Sequence, residues 1–198
     1  GEPKAAITVL DMSSVPFDVA PLVTAQVGRL AYEFNFWNPL CREFPIFLIC
    51  EEAHEYIPRE GLAKYDEARR AMERIAKEGR KYGVGLCVVS QRPTELSETV
   101  LSQCSNFICL RTTNPQDQDY IRKLMPEGEQ DLADVLTTLR RGEALAVGEA
   151  IPLPTRFRLY PPDPAPDSHD APVAESWRNG PEDLDVAAIV YRWWRQQR

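Results

Sequence analysis

Residues 45–50, PIFLIC, form an unbroken apolar run that stops at two adjacent acids, Glu51 and Glu52. A strand with one wet face alternates apolar and polar side chains, whereas an unbroken run needs cover on both faces. A second run, GVGLCVVS at 83–90, ends at Gln91, and a third, NFICLRT at 106–112, ends near Arg111. AITVLDM at 6–12 is rich in β-branched residues and reads as a strand ahead of these, while EALAVGEA (143–150) and TRFRLY (155–160) read as two late strands.

Helical periods separate the runs. From Asp18, read as an N-cap, Val19, Leu22, Val23, Val27, Leu30 and Phe34 recur at helical spacing. Ala68, Met72, Ile75 and Tyr82 share a face of a helix over 65–82 that Gly83 is placed to stop, with Arg80 and Lys81 in its last turn. A short helix is expected within 94–104, another begins at Asn114–Pro115, and Leu132, Val135, Leu136 and Leu139 suggest one more. Strands alternating with helices predict an α/β fold with a parallel sheet covered on both faces.

After Tyr160 the composition changes to PPDPAPDSHDAP, which lacks the apolar content to build a core. The expected organisation is therefore a domain over 1–160, a Pro/Asp-rich strap or linker over 161–181, and an amphipathic helix over 182–198, capped by Asp183. That helix puts Leu184, Ala187, Ala188, Tyr191 and Trp194 on one side, to pack on the parent domain or to bind a partner.

With 198 residues and 43% apolar content the chain can bury one sizeable core. No apolar stretch approaches the roughly 20 residues that span a bilayer, so no membrane association is expected. Its five cysteines have no metal-ligand spacing and read as buried thiols of a reducing cytoplasm. A net charge of −7 argues against a surface coated for nucleic acid, although a basic stripe can sit inside an acidic total.

The chemistry gathers at strand ends. In an open parallel sheet, ligands collect at the carboxyl ends of the strands, where Glu51 and Glu52 sit. Hydrolysis of a nucleotide needs carboxylates to anchor a hydrated Mg2+ and a group to orient the attacking water, and two acids at the end of a buried strand supply both. Gln91, at the equivalent end of the next strand, is a neutral amide able to donate and accept toward the same ligand edge. Arg80 and Arg111 are candidates for charge delivered to phosphates; the competing reading of both is helix-dipole compensation and surface ion pairing. His54 could relay between sites or simply make a structural hydrogen bond.

FLICEEAHEYIP (47–58), RIAKEGRKYGVGLCVVSQRPTELSETVLSQCSNFICLRTTNPQD (74–117) and GEALAVGEAIPLPTRFRL (142–159) together resemble the C-terminal half of a HerA-type ATPase of the HerA/FtsK group, from about residue 5 to Trp177. The resemblance implies a RecA-like P-loop core, ATP and Mg2+ as cofactors, and a homo-hexamer that pulls double-stranded DNA through its pore. It also implies a partner, a NurA-like nuclease in DNA repair or another effector in phage defence. By position, Glu51 becomes the Walker B acid holding Mg2+ through water, Glu52 the catalytic carboxylate, Gln91 the sensor and Arg80 the trans-acting arginine, with Arg111 beside the nucleotide. No GxxxxGK(S/T) occurs in the sequence, so the chain is expected to be the half that follows the P-loop and to be inactive alone. A DEAH-box helicase is disfavoured, because its Ser-Ala-Thr and QxxGRxGR motifs are missing. Type IV secretion ATPases are nearer relatives, and a non-catalytic oligomeric scaffold for an effector is the alternative from another class.

Overall fold

The computed structural model describes residues 7–16, 18–41, 43–61, 66–125, 128, 130–166, 173–180 and 185–195. They divide into two units, one formed by residues 15–160 and the other by both terminal segments.

In the larger unit, helix α1 (Ala20–Trp37) leads to strand β1 (Ile46–Cys50), helix α2 (Glu67–Glu78) and strand β2 (Val84–Val88). The strands pair in parallel, Cys50 opposite Val88, as a strand–helix–strand crossover requires. Helix α3 (Glu98–Ser102), strand β3 (Asn106–Leu110), helix α4 (Pro115–Leu124), a 3-10 segment over Gln130–Thr137, and strands β4 (Glu143–Gly148) and β5 (Thr155–Arg158) follow. Here the pairing is antiparallel, in the order β3, β4, β5. The parallel sheet is thus confined to β1 and β2 among the described residues. A short return at 149–154 joins β4 to β5 without the long crossover that parallel pairing needs, whereas β3 reaches β4 through α4 and the 3-10 segment.

Among the described residues, β1 and β3 are covered on one face only. Leu48 and Cys50 of β1 enter a core with Tyr32, Met72, Ile75, Val100 and Leu101, while Phe47 and Ile49, on the opposite face, are exposed. In β3, Phe107 and Cys109 pack with Ile121, Leu136, Leu139 and Val147, and Ile108 and Leu110 are exposed. The runs of β1 and β3 therefore carry one covered and one open face, whereas Ala144–Val147 of β4 are buried on both.

Helix α1 turns an unexpected side inward. Ala25, Gly28, Tyr32 and Asn35 are buried, and Leu22, Leu30 and Phe34 are exposed. Small residues win because α1 lies close on α2: a Cβ on Gly28 would come within 2.8 Å of Met72 Cε. The helix is entered at Val19, in helical conformation and without a side-chain cap, with a proline in its first turn, rather than capped by Asp18. Tyr32 closes the contact by donating to Glu78 at 2.7 Å and stacking edge-on with Tyr82.

Helix α2 ends at Glu78 and tightens into a 3-10 turn, Gly79–Tyr82, before Gly83 reverses the chain in the left-handed region at φ 68°. Only glycine fits there, since a Cβ would stand 2.4 Å from the carbonyl oxygen of Cys41. Helix α4 begins as anticipated, the Asn114 side chain accepting from Gln116 N at 3.0 Å.

Residues 7–12 form no strand, and Ile7 and Val9 are largely exposed. β-branched composition favours extended backbone, but a strand also needs a neighbour for its ladder, and no described strand pairs with this segment. In the terminal unit, helices α5 (Val173–Asn179) and α6 (Val186–Trp194) leave Trp177, Trp193 and Trp194 exposed. The cap anticipated at Asp183 lies outside the described residues; Asp185 caps α6, accepting from Ala188 N at 3.0 Å. No helix among the described residues is long and apolar enough to cross a membrane.

Candidate functional site

The ends of β1 and β2 are stitched together past the last paired residues. Val89 N donates to Cys50 O at 2.8 Å, and Ala53 N donates to Val89 O at 3.0 Å. The chain therefore cannot run straight on after Cys50. It turns at Glu52, which holds φ 47° and ψ 43°, the only non-glycine residue at positive φ among those described. A left-handed backbone costs a residue with a Cβ about 1–2 kcal/mol, and such conformations persist only where the surroundings over-determine them.

Those surroundings are identifiable. Tyr56 donates its hydroxyl to the Glu51 carbonyl, and Ile57 N donates to Ala53 O at 2.7 Å. Burial, followed by the neighbouring Cys50 and Glu51, pushes the Tyr56 hydroxyl above its ordinary range, so it stays a donor. Further along, Arg59 N donates to Glu95 O and Ser97 N to Ile57 O, at 2.6 and 3.0 Å. Buried Ser97 also donates to Glu73 at 2.7 Å, and Glu73 in turn accepts from the buried Arg69 at 2.9 Å. The turn that presents the acids is thus tied to both the next loop and α2.

Its outcome is a convergence of side chains at one edge. Gln91 Nε2 donates to Glu52 Oε1 at 2.8 Å. His54 Nδ1 lies 3.5 Å from Glu52 Oε2 and 3.1 Å from Ser90 Oγ, and Ser90 Oγ also accepts from Arg92 N at 3.0 Å. Glu51 is exposed beside them. Glu52 is 41% exposed, so its carboxylate is supported from behind and still open to a ligand.

The two arginines are placed differently. Arg80, exposed in the turn before β2, sits at the opposite end of that strand from Gln91, and the structure does not bring it to Glu52. It has no side-chain partner among the described residues. Arg111 follows the last residue of β3 and is exposed. Thr94 donates to Asp117 at 2.9 Å, tying the loop after β2 to the start of α4, the helix that follows Arg111.

Glu51 and Glu52, adjacent and reachable by solvent, offer the oxygen donors that Mg2+ takes when it keeps several waters and binds phosphate as well. No group of three or more His, Cys, Asp or Glu among the described residues forms a metal cage of protein side chains alone. Two surface hollows lie against α1, one lined by Leu30, Phe34 and Trp37 and one shared with α2. The acid edge is therefore an open half-site.

Sequence reasoning placed Glu51, Glu52 and Gln91 at neighbouring strand ends and overlooked Ser90 and Tyr56. Ser90 carried a signal, as the residue immediately before Gln91 at a strand end; Tyr56 carried none, because a backbone carbonyl acceptor leaves no mark in sequence. Cys50, just before the acids, has its thiol pushed up to about 11 by burial and by Cys87. It belongs to the core behind the acids and is the one buried cysteine of the five, the other four being half-buried because each lies at an element's end or on a partly covered face; no disulfide joins them.

Comparison with known proteins adds lineage to geometry. The family described as helicase HerA-like C-terminal matches residues 51–186. The DNA double-strand break repair helicase HerA of Pyrococcus furiosus is 50% identical over 117 residues, covering 59% of this chain and 21% of that protein. The protein of the same description from Sulfolobus acidocaldarius is 32% identical over 191 residues, covering 94% of this chain and 38% of that protein. The chain thus spans well under half the length of these relatives. Among solved structures, the genome packaging NTPase of Sulfolobus turreted icosahedral virus 2 in complex with AMPPCP superposes with a TM-score of 0.54 at 16% identity, over 70% of this chain and 64% of the other. Its complex with ATP-gammaS gives 0.52 at 17% identity, over 77% and 66%. At such identity the likeness is one of fold.

Proposed function

The chain belongs to the helicase HerA-like C-terminal family, and from that premise we propose that it is the acid-and-sensor half of an ATP-driven DNA translocase. The observation that carries the proposal is the Gln91–Glu52 hydrogen bond at the common end of two parallel strands. A carboxylate and an amide in direct contact at that edge support a reading in which a lytic water is held against the pair.

In this reading Glu51 holds Mg2+ through water, and Mg2+ supplies charge neutralisation to the phosphates. Glu52 accepts the proton of the attacking water, and Gln91 both orients Glu52 and faces the γ-phosphate. Arg111, just past the end of β3, serves the nucleotide's half-site. Arg80, at the far end of β2, serves a neighbouring subunit, which supports an assembly in which each nucleotide lies between protomers. The phosphate-gripping loop and its strand belong to a segment upstream of this chain. The exposed faces of β1 and β3, carrying Phe47, Ile49, Ile108 and Leu110, suit a sheet completed by further elements.

The whole protein is then a cytoplasmic homo-hexamer that moves double-stranded DNA through its pore and works with a NurA-like nuclease or another effector. In the same reading 1–160 belong to the ATPase core, 161–181 serve as a strap or linker, and the C-terminal segment 182–198, of which α6 is the described helix, packs on the parent domain or binds a partner. In the intact protein, Glu52→Gln abolishes ATP turnover and leaves nucleotide binding in place. Unchanged ATPase activity would remove Glu52 from the catalytic role and with it this reading.

A further inference from the structure

The Glu52 carboxylate is approached from two sides. Oε1 accepts from Gln91, and Oε2 lies 3.5 Å from Nδ1 of His54, whose side chain is 14% exposed. One hydrogen bond leaves a carboxylate free to rotate about the bond that carries it; contacts to both oxygens fix its plane. We propose that His54 is a positioning residue, whose Nδ1–H orients the Glu52 carboxylate while Ser90 holds the imidazole in place.

The tautomer follows from the surroundings. A carboxylate oxygen near Nδ1 favours a proton on that nitrogen, because a lone pair there would face negative charge. Ser90 Oγ, 3.1 Å from the same nitrogen, accepts from Arg92 N and has a second acceptor position for the same N–H, which is its role in this proposal; in the other tautomer its O–H would donate to a bare Nδ1. The imidazole thereby joins the end of β1 to the first turn after β2, beside the Gln91 contact rather than through it. Backbone geometry gives the device its purpose. Glu52 stands in the left-handed region, where its side chain leaves the chain at an angle no strand residue has, and a strained residue without lateral support would sample several carboxylate orientations. This rests on the catalytic role proposed above for Glu52, and the test separates the two.

His54 and His169 are the only histidines in the sequence, so ring-nitrogen NMR of 15N-labelled chain resolves them once His54→Asn is used for assignment. The Nδ1–H tautomer is expected for His54 at neutral pH, with Glu52→Gln shifting its ring nitrogens and leaving those of His169 in place. A bare Nδ1, or a His54 signal indifferent to Glu52→Gln, overturns the inference. In the intact protein, His54→Ala is expected to lower kcat for ATP about 10- to 100-fold with little change in KM, the effect of a reacting group displaced by up to an ångström. His54→Asn, whose amide nitrogen stands near the position of Nδ1, recovers most of the loss, which a role confined to holding the turn would not give. Ser90→Ala, which leaves the ring intact, provides a milder variant with a smaller loss of kcat. Wild-type kcat in both His54→Ala and Ser90→Ala, alongside an inactive Glu52→Gln, overturns the positioning role and leaves the ATPase reading standing. A turnover-competent Glu52→Gln sinks that reading instead, and the NMR result then decides the His54–Glu52 contact alone.

Discussion

Gln91 and Glu52, 39 positions apart in sequence, meet through a 2.8 Å hydrogen bond at the end of a parallel strand pair. The contact depends on Glu52 leaving β1 through a left-handed turn and on the cross-strand bonds at Val89 and Ala53 that enforce it. Two polar side chains at 2.8 Å on an open edge, one acceptor-only and one amide, form a pair able to bind and orient a water or an oxyanion.

The trans role proposed for Arg80 is separable by subunit. If it completes a neighbour's site, Arg80→Ala in the intact protein lowers ATP turnover by about 10³-fold or more, the scale set by arginine fingers. Assemblies mixed with Glu52→Gln protomers then regain activity, because some interfaces pair a functional acid with a functional arginine. Full activity of the pure Arg80→Ala protein contradicts the assignment.

Gly83 gives a stability test that is independent of function. Gly83→Ala places a Cβ 2.4 Å from the Cys41 carbonyl oxygen at φ 68°, whereas Gly142→Ala, at φ 78°, meets nothing within 4 Å. Gly142→Ala should cost about 1 kcal/mol in backbone strain, and Gly83→Ala about 2 kcal/mol or more once the clash is added. Urea unfolding measures both, and equal losses would contradict the close packing of the α2 terminus against residue 41.

Burial holds the Cys50 and Cys109 thiols neutral, with Cys87 adding to the effect at Cys50, and raises both from 9.0 to about 11. Between those values the unfolded chain releases protons that the folded chain retains. Stability is therefore full below about pH 9 and falls as pH rises toward 11. Denaturant midpoints measured from pH 8 to 11 should decline along this limb, and Cys50→Ala should make the decline shallower. An unchanged slope in Cys50→Ala would contradict burial of the thiol.

Local chemistry was legible where it depends on a residue's own backbone needs. Gly83 ends the α2 region, Asn114–Pro115 opens α4, and the acids and Gln91 fall at the ends of β1 and β2. What escaped sequence reading depends on neighbours. Leu22, Leu30 and Phe34 mark the apolar stripe of α1, yet the side that docks on α2 is the one whose small Ala25 and Gly28 permit close approach. The run at 6–12 has strand composition and no described partner strand. Apolar content in β1 and β3 does not reveal that one face of each lies open, or that β3, β4 and β5 pair antiparallel. The left-handed Glu52 is the deepest omission, because no propensity places a glutamate there; the cross-strand bonds do.

The most direct test is a double-mutant cycle on the residual single-turnover hydrolysis of bound ATP in the intact protein, which remains readable where steady-state turnover is lost, comparing Glu52→Gln, Gln91→Ala and the combination. If the two side chains act on one water as a unit, the double variant is scarcely slower than Glu52→Gln alone, a coupling well beyond the few tenths of a kcal/mol seen between independent sites. Losses that multiply, or a Gln91→Ala protein with unaltered turnover, would show that the pair does not share the reacting centre.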